Sequence, residues 1–304
     1  MKFEYDKTVF DEEQRDLINQ AMLFGASKEI LSVMTSLNNN GDPIFSKDQT
    51  ATIVIMLSNG NTPSKIINMI IKVENNVPIF STSEMGYISG FLNYADDKQL
   101  QQFKECLEEG MRFDDFAPFL NHYIPSECMR IYKSLHFLGC NKDNIQHIIN
   151  SKTSYEDLKT IKYLLTCGKV FDIKINALFN KDSIDTESLI DNLIYKICTK
   201  CSNMGNYSQS RNIVSKCLSV KMDPEQIQFT MDPFNEFSIE DKKNVAIGFL
   251  NGATIEEIEK CMSEPGISLK SAINNLINQK ISNIYNLDEE VEIKTDYFDE
   301  IEDR

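Results

Sequence analysis

The stretch FSKDQTATIVIMLSNG, residues 45–60, carries the marks of a complete helix at both ends, and the chain repeats the pattern. Counting back from Gly25, Gly60, Gly110, Gly139, Gly168 and Gly252, an apolar or aromatic residue stands seven positions earlier: Ile18, Ile53, Phe103, Tyr132, Ile161 and Val245. Eleven positions earlier stand Gln14, Gln49, Gln99, Cys128, Asp157 and Asp241. Fourteen earlier stand Asp11, Ser46, Asp96, Pro125, Ser154 and Ser238. The 80–95 segment fits the same frame through Phe80, Ser81, Glu84, Ile88 and Leu92, with Ala95 where the others have glycine.

Each position has a physical task. A Ser or Asp followed three residues later by Gln or Glu is a capping box, which satisfies the free amides of a helix start; Ser46 with Gln49 and Ser81 with Glu84 match it best. Apolar residues at three- and four-residue steps then form one buried stripe, over about three turns. Glycine takes the left-handed conformation that stops the helix. A second start follows at once at Ser27, Thr62 with Pro63, Asn141, and Thr254 with Glu257. The unit is therefore a helix, a tight glycine turn and a shorter helix. Such a pair leaves an apolar face bare until it packs on a neighbour, the logic of helical repeats.

The pattern predicts an all-α protein, an irregular α-solenoid-like stack of helix–glycine turn–helix pairs. The expected parts are N-terminal repeats over 1–168, a diverged helical region over 169–285 and an acidic tail over 286–304. The last helix is expected near 267–285. The two-proline stretch MDPEQIQFTMDPFNEF, 222–237, is the expected linker. Outside the tail nothing reads as a sheet.

The pattern F-x3-Q-x3-I-x3-L-x2-G is carried by Phe45, Gln49, Ile53, Leu57 and Gly60, and nearly as fully by Phe10, Gln14, Ile18, Met22 and Gly25. It resembles tandem helical repeats found in proteins of low-GC Gram-positive bacteria and of their phages and integrative elements. Degenerate copies cover about half of the chain; Cys128 departs from the glutamine, and His136 from the leucine. The resemblance implies an all-helical interaction protein of mobile-element origin, and no activity is carried over with it.

Charge narrows the partners. The net charge is −15, which argues against binding a phosphate backbone directly. Nine acids against Lys294 and Arg304 give residues 286–304 a net of −7. Within this tail Glu289, Glu290, Glu292, Asp296, Tyr297, Phe298, Asp299 and Glu300 interleave acids with aromatics. That mixture suits a solvated end, a segment docking on a basic groove, or a stand-in for nucleic-acid phosphates. No apolar run approaches the roughly 18 residues of a membrane span. The start lacks the apolar core of an export signal, and eight scattered cysteines form no disulfide framework, so a reduced cytoplasmic protein is expected.

Catalytic motifs are sparse. Cys198 and Cys201 form a lone CxxC, the shape of a redox pair or half a zinc site, but three residues apart on a helix they also simply share a buried face. The three histidines fall between His122 and His147, with Cys128 and Cys140 among them, yet their spacing matches no zinc signature, and His136 falls at a core position of the repeat. GNTPSK at 60–65 lacks the second glycine of a phosphate loop. The acid pairs Glu108–Glu109 and Asp114–Asp115 are adjacent and diverge on a helix. The expectation is a non-catalytic protein without cofactor or metal, an adaptor or inhibitor binding another protein through its helical surface. Two alternatives stay open: an acidic, anti-CRISPR-like mimic that blocks a basic nucleoprotein of a host defence system, and a metal or redox protein using Cys198 and Cys201.

Overall fold

The computed structural model describes residues 3–71, 73–74, 77–179, 186–201 and 206–285, with side chains as far as Ser282. The described residues form an all-α protein in two compact units, Met1–His136 and Phe137–Arg304. The first holds Glu12–Leu23 (α1), Lys28–Met34 (α2), Lys47–Ser58 (α3), Pro63–Met69 (α4), Thr82–Leu92 (α5), Asp97–Glu108 (α6), Phe113–Phe116 (α7) and Ser126–Phe137 (α8), which ends at the boundary. The second holds Lys142–Asn150 (α9), Tyr155–Val170 (α10), Thr186–Cys201 (α11), Tyr207–Ser219 (α12), Pro224–Met231 (α13), Ile239–Leu250 (α14), Ile255–Ser263 (α15) and Leu269–Tyr285 (α16). The division lies at 136–137, whereas residue 168, the expected boundary, is inside α10. The acidic tail 286–304 lies outside the described residues. No helix among the described residues is long and apolar enough to cross a membrane.

The capping residues act as their spacing requires. Asp11, Ser46, Ser81, Asp96, Ser238 and Thr254 each close a capping box with the residue three positions on. Ser27, Thr62 and Asn141 cap the second helices. At the other end, Gly25, Gly60, Gly110, Gly139 and Gly252 have φ between 75° and 96°. At Gly60 the paired bonds of the turn are both present: Gly60 N–H donates to Leu57 O at 3.0 Å and Asn61 N–H to Met56 O at 3.1 Å.

Gly168 does something else. Helix α10 runs past it to Val170, and the left-handed residue is Asp172, with φ 50°. The same pair of turn bonds closes one turn later, from Asp172 N–H to Lys169 O and from Ile173 N–H to Gly168 O. A Cβ on Gly168 would stand 3.0 Å from Leu178 Cδ1 and 3.1 Å from Ile175 Cδ1, so this glycine permits close packing instead of stopping a helix. The expectation failed because aspartate also enters the left-handed region at modest cost. Lys152 and Lys221 likewise take φ 51° and 52° just past α9 and α12.

Two further expectations need correction. Residues 222–237 are no linker: they contain α13, whose Ile227, Thr230 and Met231 are buried, and a 3-10 turn at Pro233–Asn235. Both prolines follow a capping aspartate and start a helix, Asp223 accepting from Glu225 N–H and Asp232 from Phe234 N–H. A small antiparallel pair, Val73–Glu74 (β1) and Val77–Pro78 (β2), sits between α4 and α5, with Val73 opposite Pro78. Two residues per strand are too few for a readable alternation.

In the first unit α1 packs on α3 and α3 on α5, while α2 packs on α4 and α4 on α6. The stripe residues Ile18, Ile53, Ile88 and Phe103 are buried. Gln49 gives the cassette a second role: its Oε1 accepts Ser46 N–H, while its Nε2 donates to Phe80 O at 2.8 Å, the residue just before the next helix cap. At the opposite end of the same two helices, Asn61 Nδ2 donates to Asn93 Oδ1 at 2.7 Å. Start meets start and turn meets turn, so α3 and α5 run parallel.

Two glycines inside α5 give a stability contrast. Nothing stands within 4 Å of a Cβ on Gly86 or Gly90, and neither has positive φ. Gly86→Ala is therefore expected to raise stability by about 0.5–1 kcal/mol through helix propensity, and Gly60→Ala at φ 81° to lower it by about 1 kcal/mol. Urea titration of both variants should place them on opposite sides of the parent.

Candidate functional site

The first unit exposes an aromatic edge. It is built at the end of α5 and in the loop that leads into α8. Asn93 ends α5, and the N–H groups of Tyr94 and Ala95 both turn back to Phe91 O. That geometry leaves Tyr94 pointing outward and 72% exposed. The loop is fixed from within: Asn121 Oδ1 accepts Tyr123 N–H, and Ile124 N–H donates to Asn121 O. Gln99, buried at the start of α6, then donates from Nε2 to His122 O at 2.9 Å and Ile124 O at 2.7 Å. The His122 ring centroid lies 5.0 Å from that of Tyr94 and 3.9 Å from that of Tyr123. Tyr123 is 82% exposed. Asp96 and Asp97, both exposed, follow Tyr94 after Ala95 and give the edge an acidic flank.

The reactive residues singled out in the sequence lie apart from this edge or do not converge. Cys198 is buried and Cys201 half-buried on successive turns of α11, and both are free thiols. Burial raises both thiol pKa values, that of Cys198 to about 11, so neither is poised as a thiolate at neutral pH. His122 belongs to the aromatic edge. His136 is half-buried, with Leu135 filling the core beside it, and His147 is exposed on α9. Among the described residues no three His, Cys, Asp or Glu side chains are grouped to hold a metal ion. The adjacent acids separate as their helices require: Glu109 pairs with Lys133 and Asp115 with Arg112. The tail residues Glu289 to Glu300 lie outside the described residues.

The sequence reading passed over Tyr94 and Tyr123, and weighed His122 only as part of a histidine cluster. A signal was present: Tyr94 directly precedes Ala95, the one copy without the closing glycine, and no stripe position calls for an aromatic there. No protein-family profile, no curated protein and no solved structure matches the chain.

Proposed function

We propose that the protein acts by binding another protein through a repeat-derived stack of helices, without catalysis, and that Tyr94, His122 and Tyr123 form the centre of the contact. The observation that carries this reading is the preorganisation of large exposed aromatics. Tyr94 and Tyr123 are 72% and 82% exposed, yet Tyr94 is held by its turn onto Phe91 O, and the loop of Tyr123 is braced by Asn121 and tied to the buried Gln99. Exposed tyrosines on fixed loops bury much area on binding at little entropic cost, which is why such residues dominate contact energies. The parallel helices joined by Gln49 and Asn61 support the stacked arrangement. The acidic flank and the tyrosine faces fit a partner that presents arginine or lysine beside apolar side chains.

A photo-crosslinking residue at position 123 in the source cells is expected to capture the same protein as one at position 94, whereas one at Phe234, exposed in the second unit, captures a different set or nothing. Tyr94→Ser with Tyr123→Ser should remove that complex while leaving the melting temperature unchanged. Truncation after Tyr285 should leave the complex intact. Loss of the complex on truncation, with the tyrosine double variant still binding, would move the function to the acidic tail.

A further inference from the structure

The second unit contains a cavity of ≈ 360 Å³ where the end of α11 meets the starts of α12 and α14. Two of its lining side chains are buried polar groups left unpaired. Ser210, on α12, is 0% exposed, and its Oγ has no hydrogen-bond partner among the described residues. Lys242, on α14, is 7% exposed and forms no ion pair or hydrogen bond from its ammonium among the described residues. The Lys242 side chain is largely buried, and that burial lowers its pKa.

The placement of the two groups is regular. Each is the fourth residue of its helix, and helical side chains lean back toward the N-terminus, so both reach over the starting turn of a helix. The starts of α12 and α14 beside them carry partial positive charge, while the end of α11 carries partial negative charge. Lys200, on the rim, is already engaged with Phe171 O at 2.8 Å; the lining carboxylates are Asp232, which accepts Phe234 N–H, and Glu236, which is exposed. Repeat comparison isolates Lys242 further. The residue ten positions before the helix-closing position is Thr50, Met85, Leu100, Met129 and Leu158 in the other buried copies and the half-buried Arg15 in the first, so Lys242 is the cation that this slot buries.

We propose that this cavity binds the phosphate group of a small phosphate monoester, with Lys242 Nζ and Ser210 Oγ as the donors that hold it. The site is independent of the aromatic edge in the first unit. An oxyanion supplies the charge that Lys242 lacks and the acceptor that Ser210 lacks, and the volume exceeds what inorganic phosphate alone would fill.

The test is thermal melting and isothermal titration of the full chain with inorganic phosphate, ribose 5-phosphate and sodium chloride at matched ionic strength. The parent should be stabilised saturably by both phosphates and more by the ester, with no effect of chloride. Lys242→Met should melt higher than the parent in chloride alone, because the unpaired charge is gone, and should lose the response to phosphate. Ser210→Ala should keep the fold and bind about tenfold more weakly, the scale of one lost charge-assisted hydrogen bond. A Lys242→Met protein that melts lower in chloride, or one that still responds to phosphate, overturns the proposal, as does a parent that responds equally to all three additives. Binding of inorganic phosphate as tight as that of the ester assigns the site to the free ion and overturns the ester. If Lys242→Met does not fold, titration of Ser210→Ala decides: unchanged affinity sinks the site.

Discussion

Gln99→Glu is expected to destabilise the first unit by about 3–5 kcal/mol, although the substitution keeps size and shape nearly constant. Gln99 is 4% exposed, and its amide bonds in two directions: Oε1 accepts Asp96 N–H at 2.9 Å, and Nε2 donates to the carbonyls of His122 and Ile124. A carboxylate can replace the acceptor but neither donor. It would also set negative charge 2.7–2.9 Å from two carbonyl oxygens in a buried place. The melting temperature should fall by about 10 °C, and the loop that carries His122 and Tyr123 should lose its anchor. Partner binding should therefore drop even where the protein stays folded. The sign with pH is a further check. A buried glutamic acid facing carbonyls has a raised pKa, so the variant is most stable when protonated and loses stability as pH rises through that value. The gap to the parent should narrow on acidification. Gln99→Met, which removes the bonds without adding charge, should cost clearly less; equal costs for the two variants would mean that the carbonyls do not face the side chain as placed.

Lys133→Met is expected to cost about 2–3 kcal/mol, a buried-ion-pair value reduced because the carboxylates are partly solvated. Lys133 is 9% exposed on α8, and its ammonium donates to Glu105 Oε2 of α6 and to Oε1 of Glu109, the residue that caps the end of α6, both at 2.8 Å. Burial pulls the lysine pKa down, but the two carboxylates outweigh it and leave the value above the ordinary one. The hydrogen bond from Lys133, helped by Gln101, holds Glu105 below the usual carboxylate range. A depressed carboxylate contributes stability above its unfolded pKa, near 4.3, and loses it as pH falls through the folded value. Denaturation at a series of pH values should then show a parent-to-variant difference that is full near neutrality and shrinks below about pH 4. A difference that stays constant with acid would show that the methionine loses only packing, not the ion triad.

Much of the fold follows from local chemistry. Ser46 with Gln49, Asp96 with Gln99 and the glycine at 60 set helix ends by bonds that span three to six residues, and such bonds can be read from spacing alone. The all-α class and most helix bounds follow for that reason. Where the sequence reading failed, a distant atom or an alternative residue decided. Asp172 stops α10 because a left-handed turn tolerates aspartate, and Gly168 is required only because Leu178 and Ile175 close upon it. Asp–Pro at 223–224 and 232–233 starts helical turns where a linker was expected, since a capping side chain turns a proline from a breaker into a first residue.

What the sequence by itself determined is the helix cassette: its caps, its stripe and most of its stops, each fixed within one or two turns of chain. What only the tertiary structure decided is where the spare valences of those same residues go. The second bond of Gln49 reaches Phe80, that of Gln99 reaches the loop at 122–124, and Lys242 meets no counterion among the described residues in a slot that four other copies fill with leucine or methionine. The physical reason is range. A cap is satisfied by neighbours in sequence, whereas a buried donor is satisfied by whatever the packing of separate helices places opposite it, and no local pattern records that partner.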